Sequence, residues 1–232
     1  MKVGIFGGTF NPIHYGHLRA AEEVRERLGF DRILFVPTGN PPLKSADRSD
    51  AFHRIEMVRL ALADSKYFQL SDVEYRLSGK SYTVKTIEAL KNTDPYAEFS
   101  FILGIDAFLD IPSWWHPEEL IALTDFVVIS RPGLGFIDLG TSPYMKIDRK
   151  VLNRIDNKKI EIHRAKLKGG RTATLLRLTP IGISSTEVRR RVRQGRSIKY
   201  LLPADVQSYI ITKKLYGRNK LRVKSKATAT IV

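Results

Sequence analysis

The sequence predicts an α/β fold: a doubly wound, mostly parallel sheet with helices on both faces and a helical C-terminal portion. Three observations carry that expectation. Short apolar runs at residues 2–7, 32–37, 99–103 and 126–130 read as strands buried on both faces. Helical patterns separate them, the alternation that a parallel sheet requires. The first run passes through Gly7-Gly8-Thr9 into a helical stretch, a strand-turn-helix unit.

In chain order, the strand at 2–7 leads to a helix at about 16–28. Residues 32–37 form the second strand, and Thr38-Gly39-Asn40-Pro41-Pro42 is a loop by composition. A helix spans 52–63, where Ile55, Val58, Leu60 and Leu62 give an approximate apolar face. Another covers 83–91, before the strands at 99–103 and 126–130. Residues 132–159, rich in Gly, Pro, Asp and Asn, show no readable period. Shorter strands follow at 160–167 and 173–178, then helices at about 185–194 and 204–216. Right-handed crossovers place the loops after Gly7, Pro37, Leu103 and Ser130 on one crevice, beyond the carboxyl ends of the strands. The expected organisation is a single domain over 1–217, its helical part at about 184–217, and a basic, flexible tail at 218–232.

Composition bounds the function. The 232 residues are enough for one α/β domain with a sizeable core. Hydrophobic residues at 43% and charged residues at 27% are ordinary for a soluble globular protein. The absence of cysteine excludes disulfides and thiolate metal sites and fits a reducing compartment. The chain enters its first strand without an apolar leader, and no apolar run is long enough to span a bilayer. A cytoplasmic enzyme is expected. Net charge is +15, but much of the excess is local. Arg189, Arg190, Arg191, Arg193, Arg196 and Lys199 crowd one stretch, and no acidic residue follows Asp205. That pattern suggests a phosphate site and a solvated tail rather than a nucleic-acid surface.

Gly7-Gly8-Thr9-Phe10-Asn11-Pro12-Ile13-His14-Tyr15-Gly16-His17 carries the chemistry. Paired glycines let backbone amides approach a polyphosphate without a Cβ in the way. The helix beginning near Gly16 turns free N–H groups and a partial positive charge toward the same place. His14 and His17 stand at its entrance, where an imidazole N–H can donate to an α-phosphate oxygen as charge builds. Two rival phosphate motifs fail on spacing. Ser78-Gly79-Lys80-Ser81 has the end of a P-loop, but Glu74 stands where its first glycine belongs. The first turn also lacks the G-x-G-x-x-G of a dinucleotide-binding dehydrogenase.

With His-x-Gly-His directly after Gly-Gly-Thr-Phe-Asn-Pro, the chain resembles the nucleotidylyl transferase superfamily. That resemblance implies a Rossmann-like fold and transfer of a nucleotidyl group from a triphosphate to an acceptor, releasing pyrophosphate without a covalent enzyme intermediate. A second segment supports it. Ser184 and Glu187 have capping-box spacing, so a helix begins there and its first turn can hold an anion, with Arg189 one turn on. Ile183-Ser184-Ser185-Thr186-Glu187-Val188-Arg189 is similar, residue for residue, to the superfamily segment that grips the ATP phosphates.

Asn40-Pro41-Pro42-Leu43-Lys44, Ser81-Tyr82-Thr83, Gly104-Ile105-Asp106, Trp114-Trp115 and Arg131-Pro132-Gly133 follow in order. Together they resemble the bacterial nicotinate-nucleotide adenylyltransferases over about 2–216. The resemblance implies ATP and nicotinate mononucleotide as partners, deamido-NAD as product, and magnesium carried by the ATP phosphates with no protein metal ligands. It implies His14, His17, Lys44 and Arg189 as catalytic residues. ATP would bind at Gly7, Gly8, Thr9, Phe10, Gly104, Asp106, Ile183, Ser184, Ser185 and Thr186. Asn40, Tyr82, Thr83, Trp114, Trp115 and Arg131 would bind the mononucleotide.

The residue chemistry agrees. A pyridine ring wants a stacking face, which one tryptophan offers while the other packs in the core. The ring carboxylate wants N–H donors, which Thr83 and the aromatic loop can supply. Asp106 suits a ribose hydroxyl, or serves as a helix cap. One departure is Leu43, where the family usually has histidine; Lys44 then carries more of the role, or His53 folds toward it, although His53-Arg54 reads better as part of a helix opening. A sister transferase with another acceptor, such as nicotinamide mononucleotide or phosphopantetheine, is the nearest alternative. A non-catalytic nucleotide- or RNA-binding regulator is the other. The sequence leaves oligomeric state open, with a homo-oligomer as one option.

Overall fold

The computed structural model describes residues 1–40, 49–131 and 133–217. Among these residues, seven strands form one sheet, in the order β3-β2-β1-β4-β5-β7-β6. The strands are β1 (Lys2–Gly8), β2 (Arg32–Pro37), β3 (Phe68–Leu70), β4 (Glu98–Gly104), β5 (Asp125–Ile129), β6 (Ile162–Lys166) and β7 (Thr172–Leu176). All neighbouring pairs are parallel except β6 with β7. This is the expected doubly wound, Rossmann-like sheet. β1 lies between β2 and β4, with Phe6 in register with Phe35 on one side and Ile102 on the other. The chain first winds outward through β2 and β3, then returns to add β4 beside β1. A crevice opens at that reversal, past the carboxyl ends of β1 and β4.

The central strands read as unbroken apolar runs because both faces are covered. Val3, Ile5, Phe101, Leu103, Phe126 and Val128 face one core. Helices α4 (Thr83–Thr93), α5 (Ile105–Asp110), α6 (Pro117–Leu123) and α7 (Arg149–Asp156) cover it through residues such as Ile87, Phe108, Leu120 and Leu152. Phe6, Ile33, Phe35, Ile102, Val127 and Leu176 face the other core. There α1 (Tyr15–Leu28), α2 (Ala51–Leu62), α8 (Ser185–Arg193) and α9 (Ala204–Thr212) contribute Val24, Met57, Val58, Val188, Val206 and Ile210. The small α3 (Val73–Arg76) precedes α4.

Several expectations needed correction. The last helix stops at Thr212 instead of continuing to 216, and the following residues form turns. β3, α3, α5, α6 and α7 went unread. β3 is three residues long, too short for a period to show. α5 starts directly after β4, with Gly104 as its N-cap, and at six residues is too short for a period to show. α7 does carry an apolar stripe, Val151, Leu152 and Ile155, but lies in a stretch whose Gly and Pro content masked it.

Candidate active site

The turn after β1 is held from all sides. Phe10 adopts a left-handed φ of 46°, sparsely populated for a residue with a side chain. Its ring is buried and meets Phe6, Phe35 and His17, which over-determines the conformation. Three carbonyls of the turn are taken by side chains from other elements. Thr9 O accepts from Arg54 Nη1 at 3.2 Å, Asn11 O from Arg189 Nη1 at 2.8 Å, and Pro12 O from Ser185 Oγ at 2.8 Å. The Asn11 side-chain carbonyl accepts from Ser49 Oγ at 2.8 Å and Tyr216 OH at 2.7 Å. The two motifs recognised in the sequence are thus in direct contact, although more than 170 residues separate their bonded members.

His14 is the N-cap of α1 and is buried. Its ring stacks on that of His17, with centroids 3.7 Å apart and planes 27° from parallel. A side chain at Gly16 would put its Cβ 3.0 Å from the His14 ring and 3.4 Å from the Ile183 carbonyl oxygen. The glycine of His-x-Gly-His therefore makes room for both the first histidine and the second motif. The backbone N–H of His14 donates to Nδ1 of His17 at 3.3 Å. That bond leaves Nδ1 of His17 without a proton and places the ring proton on Nε2.

Burial lowers the pKa of His14 to about 4, with the charge of Arg131 adding to the effect. Burial likewise holds His17 well below its ordinary value, helped by His14 and Arg131. Both rings are neutral at pH 7. The expected row of free amides at the start of α1 is only partly present: Tyr15 N–H donates to the Leu201 carbonyl and His17 N–H turns back to that of His14.

α8 opens with Ser184 as its N-cap, whose hydroxyl accepts from Glu187 N–H at 3.2 Å. Glu187 does not close the capping box; its carboxylate pairs with Arg190 and Arg191, which hold it below the usual carboxylate range. Arg189 Nη2 reaches Thr186 Oγ1 at 3.3 Å, while its buried Nε has no hydrogen-bond partner among the described residues. A donor of that kind is available for an anion.

Two adjoining clefts share His17, Arg131 and Ser185. The smaller, of about 330 Å³, runs along residues 6–11 to Arg189. The larger, of about 640 Å³, extends past His14 and Ser130 to a wall made by residues 177–186. That wall is pinned by Glu23, a buried carboxylate on α1 that accepts from Thr179 N–H at 3.1 Å. Gly104 and Asp106 sit beside Arg131, whose Nε lies 3.5 Å from Asp106 Oδ1. A Cβ at Gly104 would come within 2.6 Å of that Nε, so glycine is what lets Arg131 lie across the end of β4. Gly104 is itself the N-cap of α5, so Asp106 is in the first turn rather than at the cap.

The mononucleotide candidates gather at the start of α4. Tyr82 and Trp115 stack with centroids 4.7 Å apart, and the His116 ring stacks with Trp115 at 3.8 Å. Lys85 Nζ lies 5.2 Å from the Trp115 ring. Thr83 begins α4 next to this shelf. Trp114 packs toward the core, edge-on to Phe101, while Trp115 is the exposed one. Asn40 joins the shelf through bonds to Ser81 and the Gly79 carbonyl. Arg131 stands apart from this group, with the histidines. Leu43 and Lys44 lie outside the described residues. His53 bonds Tyr209 OH at 2.9 Å and ties α2 to α9, in keeping with a helix role.

Asn11, Glu23, Arg54, Glu74 and Tyr216 are not among the site residues expected from the sequence, where Asn11 is only part of the turn and Arg54 only part of a helix opening. Arg54 did leave a trace: it shares the i, i+3, i+4 spacing of Met57 and Val58, so a cation falls on a core-facing stripe.

Among the described residues, no helix is long and apolar enough to cross a membrane. A family model described as cytidylyltransferase-like matches residues 5–191. A protein of Geotalea daltonii named "Probable nicotinate-nucleotide adenylyltransferase" is 43% identical over 219 residues, covering 94% of this chain and 99% of the relative. One of Geobacter sulfurreducens with the same name is 43% identical over 220 residues, covering 94% and 100%. The solved structure of Plasmodium falciparum nicotinic acid mononucleotide adenylyltransferase complexed with NaAD has the same fold. Its TM-score is 0.69 at 24% identity, over 93% of this chain and 97% of that one. The chain belongs to the cytidylyltransferase-like nucleotidyltransferases and, within them, to the nicotinate-nucleotide adenylyltransferase family.

Proposed function

We propose that this chain transfers the adenylyl group of ATP to nicotinate mononucleotide, forming nicotinate adenine dinucleotide and pyrophosphate in NAD biosynthesis. The observation that carries the reading is the packing of the α8 start against the β1 turn, which brings neutral His17, Arg131, Ser185 and Arg189 around one cleft. The relatives named for this reaction, alike over nearly the full chain, support the choice of acceptor.

In this reading the triphosphate lies along Gly7, Gly8, Thr9 and Phe10 toward Ser184, Thr186 and Arg189. The adenosine occupies the larger cleft against Ile183, with its ribose toward Gly104 and Asp106. The pyridine ring docks on the shelf of Tyr82 and Trp115, its carboxylate toward the Thr83 N–H. A phosphate oxygen of the mononucleotide attacks the α-phosphorus. A new P–O bond forms as the bond to the β-phosphate bridge breaks, and pyrophosphate leaves with the electron pair. The attacking phosphate is already ionised at neutral pH, so the step needs no strong base. His17 donates its Nε2–H to the α-phosphoryl oxygens, where negative charge accumulates. Arg131 fits the transferring phosphate better than the pyridine ring, given its place beside the histidines.

Magnesium suits this site as an ion carried by the triphosphate. Among the described residues, no carboxylate lines the smaller cleft, and that of Asp156 in the larger accepts from Phe136 and Ile137 N–H groups. When bound it would neutralise phosphate charge through oxygens of ATP and water.

The test is product identification. With ATP labelled at the α-phosphorus, the label should appear in nicotinate adenine dinucleotide by mass spectrometry, with unlabelled pyrophosphate released. Label in free AMP with the mononucleotide unchanged would overturn the reading.

A further inference from the structure

Gly39, at the end of β2, is gripped from both sides. Its carbonyl accepts from Arg54 Nη2 at 3.1 Å, and its N–H donates to Glu74 Oε2 at 3.2 Å. Each gripping residue holds something else. Arg54 is 1% exposed, and its Nη1 donates to Thr9 O in the turn after β1. Glu74 accepts on Oε1 from Thr86 Oγ1 at 2.8 Å, and Thr86 is in the first turn of α4. The Thr86 backbone N–H donates to the Tyr82 carbonyl at 3.1 Å, and that carbonyl lies 3.2 Å from the hydroxyl as a second acceptor for its single proton, so the chain of contacts ends at the aromatic shelf. A Cβ at Gly39 would stand 2.5 Å from the Glu74 carbonyl oxygen, which allows the approach only to glycine.

We infer that Arg54 and Glu74 are positioning residues that fix the turn after β1 relative to the start of α4 by clamping the Gly39 peptide between them. The inference rests on the proposed adenylyl transfer, in which those two segments hold the two reacting partners. A guanidinium can bridge two carbonyls because its donors are set in a rigid fork; a lysine at the same place can serve one of them. Transfer needs the attacking oxygen and the α-phosphorus at near-contact, and a displacement of about 1 Å can cost on the order of 10²-fold. Breaking the clamp should therefore slow the chemical step more than it weakens either substrate alone.

The variants are Arg54→Lys, Glu74→Ala, Glu74→Gln and the double Arg54→Lys/Glu74→Ala, in the full chain. The measurements are the single-turnover rate of transfer per folded molecule and the separate dissociation constants for a non-transferable ATP analogue and for nicotinate mononucleotide. Arg54→Lys and Glu74→Ala should each slow transfer by about tenfold or more, with each dissociation constant within about threefold of the parent. Glu74→Gln should recover most of the rate, because its amide can accept from Gly39 and donate to the Thr86 hydroxyl, whose own proton then turns to the Tyr82 carbonyl. The double variant should be no slower than the slower single, since both act through one peptide. Should Arg54→Lys fail to fold, the half-buried Glu74 pair gives the same answer. Unchanged rates in the single variants, or losses that multiply in the double, overturn the inference. A parent protein that makes no nicotinate adenine dinucleotide overturns the proposed function and this inference with it.

Discussion

The backbone N–H of His14 donates to Nδ1 of His17 across 3.3 Å, while the two rings stack at 3.7 Å. This bond decides which nitrogen of His17 carries a proton. Nε2–H is the donor, and a neutral one, because burial and Arg131 suppress protonation of both rings. His17→Ala should fold and lose about 10²–10³-fold in kcat. His17→Gln, whose amide reaches the Nε2 position, should retain more turnover than His17→Asn, which mimics Nδ1. Steady-state rates on folded protein check this; a fully active His17→Ala contradicts the role given to the motif.

The histidine pair also sets a pH dependence of stability. The His14 pKa is depressed in the folded chain, so the unfolded chain binds the extra proton. Stability is then complete above about 6.5 and falls as pH drops from there toward 4. The His14 contribution to that loss is roughly 3 kcal/mol across the window. Urea midpoints between pH 7.5 and 4.5 should fall more steeply for the parent than for His14→Asn. Parallel curves would show that His14 does not titrate as its burial implies.

The two tryptophans should separate by phenotype. Trp115 is exposed on the shelf with Tyr82, so Trp115→Ala should raise the KM for nicotinate mononucleotide by about 3–10-fold, the worth of one aromatic stack, and leave that for ATP within twofold. Trp114 packs on the core, so Trp114→Ala should cost about 2 kcal/mol of stability instead. Exchanged effects would reverse the assignment.

What could be read from the sequence follows from how local each signal is. The four central strands show because burial on both faces makes each an unbroken apolar run. The β1 turn and the α8 start show because glycine, histidine and capping residues are tied to backbone geometry within a few positions. The shelf was legible only as a set of motifs in order. Arg54, Glu74 and Tyr216 act through bonds to distant segments, such as Tyr216 to Asn11 across 205 positions, and nothing near them in sequence announces the partner. Arg131 was placed on the mononucleotide side because its neighbours in sequence gave no sign of the approach to Gly104 and the histidines.

Tyr216 gives a further prediction. Burial raises its hydroxyl pKa to about 12, and the O–H donates to the Asn11 side chain at 2.7 Å. Asn11 keeps its bonds to Ser49 when that donor is lost, so Tyr216→Phe should cost only about 1 kcal/mol. Asn11→Ala strips the acceptor from three donors and should cost about 2 kcal/mol, with a fall in kcat because the turn loosens. Thermal unfolding and turnover of the two variants rank them; equal effects would mean that Asn11 is not the hub.

The central claim is transfer to nicotinate mononucleotide at the cleft between β1, α8 and the aromatic shelf. Pyrophosphate release, measured with ATP, magnesium and one acceptor at a time, tests it most directly. Nicotinate mononucleotide should give rapid release, with nicotinamide mononucleotide slower and phosphopantetheine at background. Release with phosphopantetheine but none with nicotinate mononucleotide would contradict it.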